Sequence, residues 1–169
     1  FYSTNMNPWL ILTLVTFIPT IELRLSIPLG ILSGTMNLPF DLTLSGFGLN
    51  WAGVFVVCVL ANILLGAIVY LVLKYVLDFI FRFGRLKHWY EKYTEKKQRK
   101  AQKYIDKYGS VGLALFIAIP SPGTGSYTGS ILAYIMGFSY KKFLWVNALG
   151  VAIAGIIVTA ITLTVHAVV

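Results

Sequence analysis

The sequence is poor in acid, histidine and cysteine. Six Asp and Glu stand against fourteen Lys and Arg, and charged residues make up only 12% of the 169 positions while 57% are hydrophobic. A soluble domain of this length could not cover that much apolar surface with so few charges, so the composition places the chain in a membrane. The aromatic content of 15% suits two interfacial belts. A single cysteine, Cys58, excludes an internal disulfide and reads as a small packing residue in an apolar run. The two histidines, His88 and His166, lie in a basic linker and near the outer end of the last apolar run. Neither falls near the polar breaks described below, so no enzyme, metal or cofactor is expected. No cleavable signal peptide is evident, and a start at Phe1 rather than Met leaves room for an upstream piece.

The cations are clustered. Ten of the fourteen Lys and Arg fall within residues 82–107, Lys141 and Lys142 form a second group, and Lys74 precedes the first. That leaves Arg24 alone in apolar sequence. The clustering reads as membrane topology, and the basic run lacks a base-reading module, so no nucleic-acid partner is expected.

Apolar runs and their interruptions organise the chain. Residues 8–21 form an apolar run of fourteen, reaching about 21 Å against a hydrocarbon core of about 30 Å. The run breaks at "PTIELR" and resumes to about Met36, interrupted again by Pro28. Two short arms around a polar break predict a re-entrant hairpin over 8–36, with one long kinked span as the alternative. Residues 37–50, with Pro39, Asp41, Gly46 and Gly48, read as a loop. Residues 51–78 form a continuous transmembrane span with one amide, Asn62, near its midpoint. Residues 82–108 predict a basic cytoplasmic or interfacial helix stopped by Gly109. A second pair of short arms, 111–138, surrounds "PSPGTGSYTG", and residues 143–169 form a second span, with Asn147 a loose counterpart of Asn62.

The order of short arm, break, short arm and span therefore occurs twice. The positive-inside rule puts 82–108 in the cytoplasm, so the first hairpin enters from outside and the second from inside. The expected fold is an all-α integral membrane protein of 1–169 as one domain: two inverted repeats, each a re-entrant helical hairpin followed by a transmembrane helix, with the basic helix between them. "GILSG" at 30–34 and "GSYTG" at 125–129 are small-xxx-small stretches that allow close backbone approach.

Inverted repeats with broken helices meeting at mid-membrane are a transporter plan. Each second arm points its helix N-terminus at the membrane centre, where free N–H groups favour an anion. The second break offers Pro120, Ser121, Pro122, Gly123, Thr124, Gly125, Ser126, Tyr127 and Thr128. In the first, Ser26 is placed to cap the second arm beside Pro28 and Gly30, and Arg24 adds a fixed positive charge. Arg24 needs a partner in this setting. Glu22 is either that partner, in a purely structural pair, or free to exchange a proton while Arg24 holds an anionic group.

"ELRLSIPLGI" at 22–31 and "AIPSPGTGSYTGSILAYIMG" at 118–137 resemble the small multidrug export protein family of bacteria and archaea, which looks like a distant branch of the DedA superfamily. The resemblance covers nearly the whole chain. It implies two opposed re-entrant hairpins and proton-dependent movement of lipids such as undecaprenyl phosphate or phospholipids. Glu22 and Arg24 match the charged residues of the first motif, and Pro120, Pro122, Gly123 and Gly125 match the second. DedA proteins place arginines in the second hairpin, whereas this chain has Ser, Thr, Gly and Tyr127 there.

The expected function is a membrane transporter moving an anionic lipid, with membrane lipids as partners, Glu22 as the proton carrier and a homo-oligomer covering the hairpin tips. The alternatives are a small-molecule multidrug exporter, and a structural or assembly protein without transport.

Overall fold

Two long apolar helices carry the architecture. In the computed structural model, which describes residues 7–19, 21–38, 42–81, 109–121 and 124–168, the elements run α1 (Pro8–Thr16), α2 (Glu22–Ile31), β1 (Ser33–Leu38), β2 (Leu42–Phe47), α3 (Trp51–Phe81), α4 (Ser110–Ala118), α5 (Ser126–Ile135) and α6 (Tyr140–Val168). Within α3 and α6, the stretches Trp51–Val76 and Tyr140–Ala167 hold 26 and 28 residues and are long and apolar enough to cross a bilayer. Their outward faces are apolar as well. Val56, Leu60, Leu64, Ile68 and Val72 stand exposed along α3, and Trp145, Leu149, Ile153 and Ile156 along α6. Stripes of this length at helical spacing face lipid and not water. The protein is a membrane protein, mostly helical, with six helices among the described residues.

The other four helices are short. α1 and α4 have nine residues each and α2 and α5 ten, so each reaches only about 15 Å, half a hydrocarbon core. α1 packs on α2, and α4 on α5. α1 opens with Pro8 inside its first turn, and the Asn7 side chain accepts from the Trp9 N–H at 3.1 Å. α2 lies against both α3 and α6, and α5 lies against the same two helices. Both breaks therefore converge on the α3–α6 pair.

Glycine sets two of these approaches. A Cβ at Gly30 would come within 2.6 Å of the Val54 side chain on α3, and one at Gly129 within 2.5 Å of Ile117 on α4. The small residues thus serve contacts inside the chain. At the α5–α6 end, the Tyr70 ring stacks on Phe143 with centroids 4.9 Å apart, and its hydroxyl donates to the Phe138 carbonyl.

Three expectations change. Residues 37–50 are not simply a loop, and the fold is not all-α: β1 and β2 form an antiparallel pair in register from Ser33↔Phe47 to Leu38↔Leu42. The alternation of Met36, Leu38, Leu42 and Leu44 with polar residues suits a strand pair, and the ladder satisfies the backbone groups after α2 ends. The second arm of the first hairpin therefore stops at Ile31, not Met36. Pro28 does not break α2 but lies inside it, where buried Ile27 and Leu29 hold the helix despite the missing N–H. The basic segment 82–108, Pro122 and Gly123 lie outside the described residues.

Candidate functional site

The polar centre is built where the first break meets the second. α1 ends at Thr16, and the chain turns through Phe17 and Ile18 into α2. Glu22 starts that helix with φ +48°, the only non-glycine among the described residues in the left-handed region. Such a backbone costs an L residue about 1–2 kcal/mol. It aims the Glu22 side chain away from its own helix and across to α5.

There the carboxylate finds the start of α5. The Tyr127 N–H donates to Glu22 Oε1 at 2.9 Å, and the Ser126 N–H donates to Oε2 at 3.1 Å. Asn62 Nδ2 on α3 donates to the same Oε2 at 3.3 Å. Glu22 is only 3% exposed. A buried carboxylate is tolerable because the unpaired N–H groups and dipole of a helix N-terminus face it, and each charge-assisted bond contributes about 1.5–3 kcal/mol. Gly125 makes the approach possible. Its φ of +119° suits glycine, and a Cβ there would lie 2.3 Å from Glu22 Oε2. The N–H groups that the sequence assigned to a ligand's anion are thus bonded to the protein's own carboxylate.

Arg24 reaches a neighbouring part of the same break. Its Nη2 donates to the Thr124 carbonyl at 2.6 Å and to Thr124 Oγ1 at 2.7 Å, with the Ile119 carbonyl at 3.5 Å. The Ser121 N–H donates to Thr124 Oγ1 at 3.3 Å, which fixes the hydroxyl between the guanidinium and the loop. The recorded bonds of Glu22 and Arg24 go to separate partners, so the pair is not a simple mutual salt bridge. Each charge ties the first break to the second by its own route.

Around them lies a second layer of buried polar groups. Ser126 Oγ donates to Asn147 Oδ1 at 2.7 Å, and Asn147 Nδ2 donates to the Ile63 carbonyl at 3.3 Å. Gly66, one turn beyond Asn62, leaves room for this pair, since a Cβ there would lie 2.2 Å from Ser126 Oγ. Ser130 Oγ donates to the Ser126 carbonyl at 2.6 Å. On the other side, Thr16 Oγ1 donates to Ser26 Oγ at 2.8 Å, and Ser26 Oγ lies 3.1 Å from the Glu22 carbonyl. Ser26 was expected to cap α2. It instead occupies the second turn, fully buried, while Ile21 holds the cap position without a side-chain bond.

The structure therefore brings together Glu22, Arg24, Asn62, Thr124, Gly125, Ser126 and Tyr127, with Ser26 and Ser121 at the margins. It leaves Pro28 and Gly30 in the packing of α2, and Pro120 on the exposed side of the break. Thr16, Gly66 and Ser130 were not anticipated. The i,i+4 spacing of Asn62 with Gly66 and of Ser126 with Ser130 carried the available signal. Among the described residues, no three His, Cys, Asp or Glu side chains gather into a metal site.

No curated protein and no solved structure matches the chain. A family model does, over residues 22–157, from the Glu22 that opens α2 through the second break and into α6. The chain belongs to the family described as "Putative small multi-drug export protein".

Proposed function

We propose that this protein exports small amphipathic molecules across the cell membrane and that Glu22 is the group through which protons drive it. One observation carries the reading. Glu22, the one acidic residue in either polar break, holds the first break to the second through the N-terminal N–H groups of α5. A proton on that carboxylate removes the charge those N–H groups bind. Proton binding and the contact between the two halves are then linked, which is the element that a coupled exporter needs.

This reading takes the two short-helix pairs as re-entrant hairpins entering from opposite sides, and the two halves as inverted repeats. Residues 82–108 lie in the cytoplasm, and a multi-pass homo-oligomer in a lipid surround covers the hairpin tips.

Arg24 favours a second reading. It is half-buried at the break, and it could hold the headgroup of an anionic lipid, such as a polyprenyl phosphate or a phospholipid, as the DedA likeness implies. The headgroup would take the place of the Glu22 carboxylate at α5 once Glu22 is protonated.

The test is transport in proteoliposomes under an imposed pH gradient, comparing wild type with Glu22→Gln. A fluorescent cationic amphiphile and a labelled polyprenyl phosphate serve as the two substrates. Gradient-driven movement of the amphiphile, lost in Glu22→Gln protein that still unfolds cooperatively, is the expected result. Movement of the polyprenyl phosphate alone selects the second reading. No gradient-dependent movement of either by folded wild type sinks both.

A further inference from the structure

Two asparagines are buried in the polar centre, and they are used differently. Asn147 has both ends of its carboxamide engaged: Oδ1 accepts from Ser126 and Nδ2 donates to the Ile63 carbonyl. Asn62 is 1% exposed and uses one end only. Its Nδ2 donates to Glu22 Oε2, while its Oδ1 is buried without a partner. A buried carbonyl oxygen left unpaired costs free energy and calls for an explanation.

The orientation is dictated by charge. Turned the other way, Oδ1 would face a carboxylate, acceptor against acceptor, so an ionised Glu22 selects Nδ2. A proton on Glu22 Oε2 reverses the requirement, because that oxygen becomes a donor and needs an acceptor opposite it. Asn62 already carries that acceptor on the same carboxamide.

We infer that Asn62 is the positioning residue for the proton on Glu22: its Nδ2 donates to the carboxylate, and when Oε2 takes a proton the carboxamide turns over and Oδ1 accepts from the new O–H. The inference rests on the reading of Glu22 as the proton carrier. The step is a protonation alone. One O–H bond forms on Oε2, the proton comes from water on one side of the membrane, and it leaves to water on the other. Oε1 becomes the acid's carbonyl and keeps the Tyr127 N–H. The Ser126 N–H loses its charged acceptor, so the start of α5 is the segment that protonation loosens.

Few other groups face this carboxyl. From α2 itself comes Arg24, the one other charged side chain among the described residues of the centre, bonded to Thr124. α3 presents Asn62, with Cys58 one turn away against Ser26 and Thr16. α5 presents the backbone N–H groups of Ser126 and Tyr127, the latter a titratable residue that meets Glu22 through its main chain. α6 presents Asn147 behind Ser126, and α1 presents Thr16.

The test is infrared difference spectroscopy of the full chain in liposomes between high and low pH. Wild type should show a protonated-carboxyl band that Glu22→Gln removes. In Asn62→Leu that band should move to higher wavenumber, because the acid O–H has lost its acceptor. An unchanged wavenumber in Asn62→Leu overturns the inference. A second measurement needs no change at position 62. With carbon-13 in the asparagine carboxamides, one carboxamide band should fall in wavenumber as Glu22 protonates in wild type and stay fixed in Glu22→Gln; no such movement in wild type also overturns it. The two levels fail separately. No band that depends on Glu22 removes the proton carrier itself, and the inference with it. Gradient-driven transport that Glu22→Gln abolishes, beside a band that Asn62→Leu leaves in place, removes only the role of Asn62.

Discussion

The two breaks contribute opposite kinds of chemistry to one centre. The first supplies charged side chains, Glu22 and Arg24, carried at the start of α2. The second answers mostly with main chain: the Ser126 and Tyr127 N–H groups for the carboxylate, and the Ile119 and Thr124 carbonyls, joined by the Thr124 hydroxyl, for the guanidinium. Bare backbone can serve this purpose only where a chain leaves its helix, because inside a helix those groups are already paired. Gly125 exposes them, and the strained backbone of Glu22 reaches for them. The difference teaches that the two halves are complementary in their chemistry. Without the second half, Glu22 keeps only the Asn62 amide and Arg24 loses its Ile119 and Thr124 acceptors; without the first, the start of α5 is an empty helix end.

Substitutions on the receiving side should do the most harm. Gly125→Ala forces a Cβ into the Glu22 carboxylate and strains the chain, so it should cost about 5 kcal/mol, read as a shift in an SDS unfolding titration in mixed micelles. On the giving side, Glu22→Ala should cost about 3 kcal/mol in the same assay, because two N–H groups lose a charged acceptor. Glu22→Gln, which keeps one carbonyl oxygen for those groups, should cost about half as much. If Glu22→Ala proves harmless while Gly125→Ala does not, the complementarity fails and Gly125 matters for its backbone alone. Ser126→Ala separates the side chain from the N–H. It leaves the carboxylate contact intact and removes the donor to Asn147, at about 1 kcal/mol. Tyr70→Phe, remote from both breaks, should also cost about 1 kcal/mol by the same measure and leave gradient-driven transport unchanged, which makes it the control.

Much of this arrangement could be read in the residues. The long apolar runs of α3 and α6, the two interruptions, and the isolation of Arg24 all follow from where charge, proline and glycine fall. The strand pair was hidden because Pro39, Asp41, Gly46 and Gly48 drew attention from the alternation around them. The docking of Glu22 was hidden for a deeper reason. Its partners are N–H groups, which every residue but proline owns, so nothing in the names Ser126 and Tyr127 marks them as donors to a carboxylate. Likewise, an arginine and a glutamate two positions apart suggest each other, and only the φ of Glu22 shows that they part company.

The carboxylate and its N–H partners are separated by 104 and 105 residues along the chain. At a ribosome's pace of about 5–20 residues per second, roughly 5–20 s pass between the appearance of Glu22 and that of the helix end that will hold it. During that interval Glu22 has at most the Asn62 amide beside it, and a carboxylate with so little hydrogen bonding is costly to bury. The newborn first half must therefore wait at the membrane surface, or enter it with Glu22 protonated. Completion of α5 is then the event that closes the molecule, and a nascent chain halted before Ser126 should remain open to proteases along α1 and α2, about five helical turns.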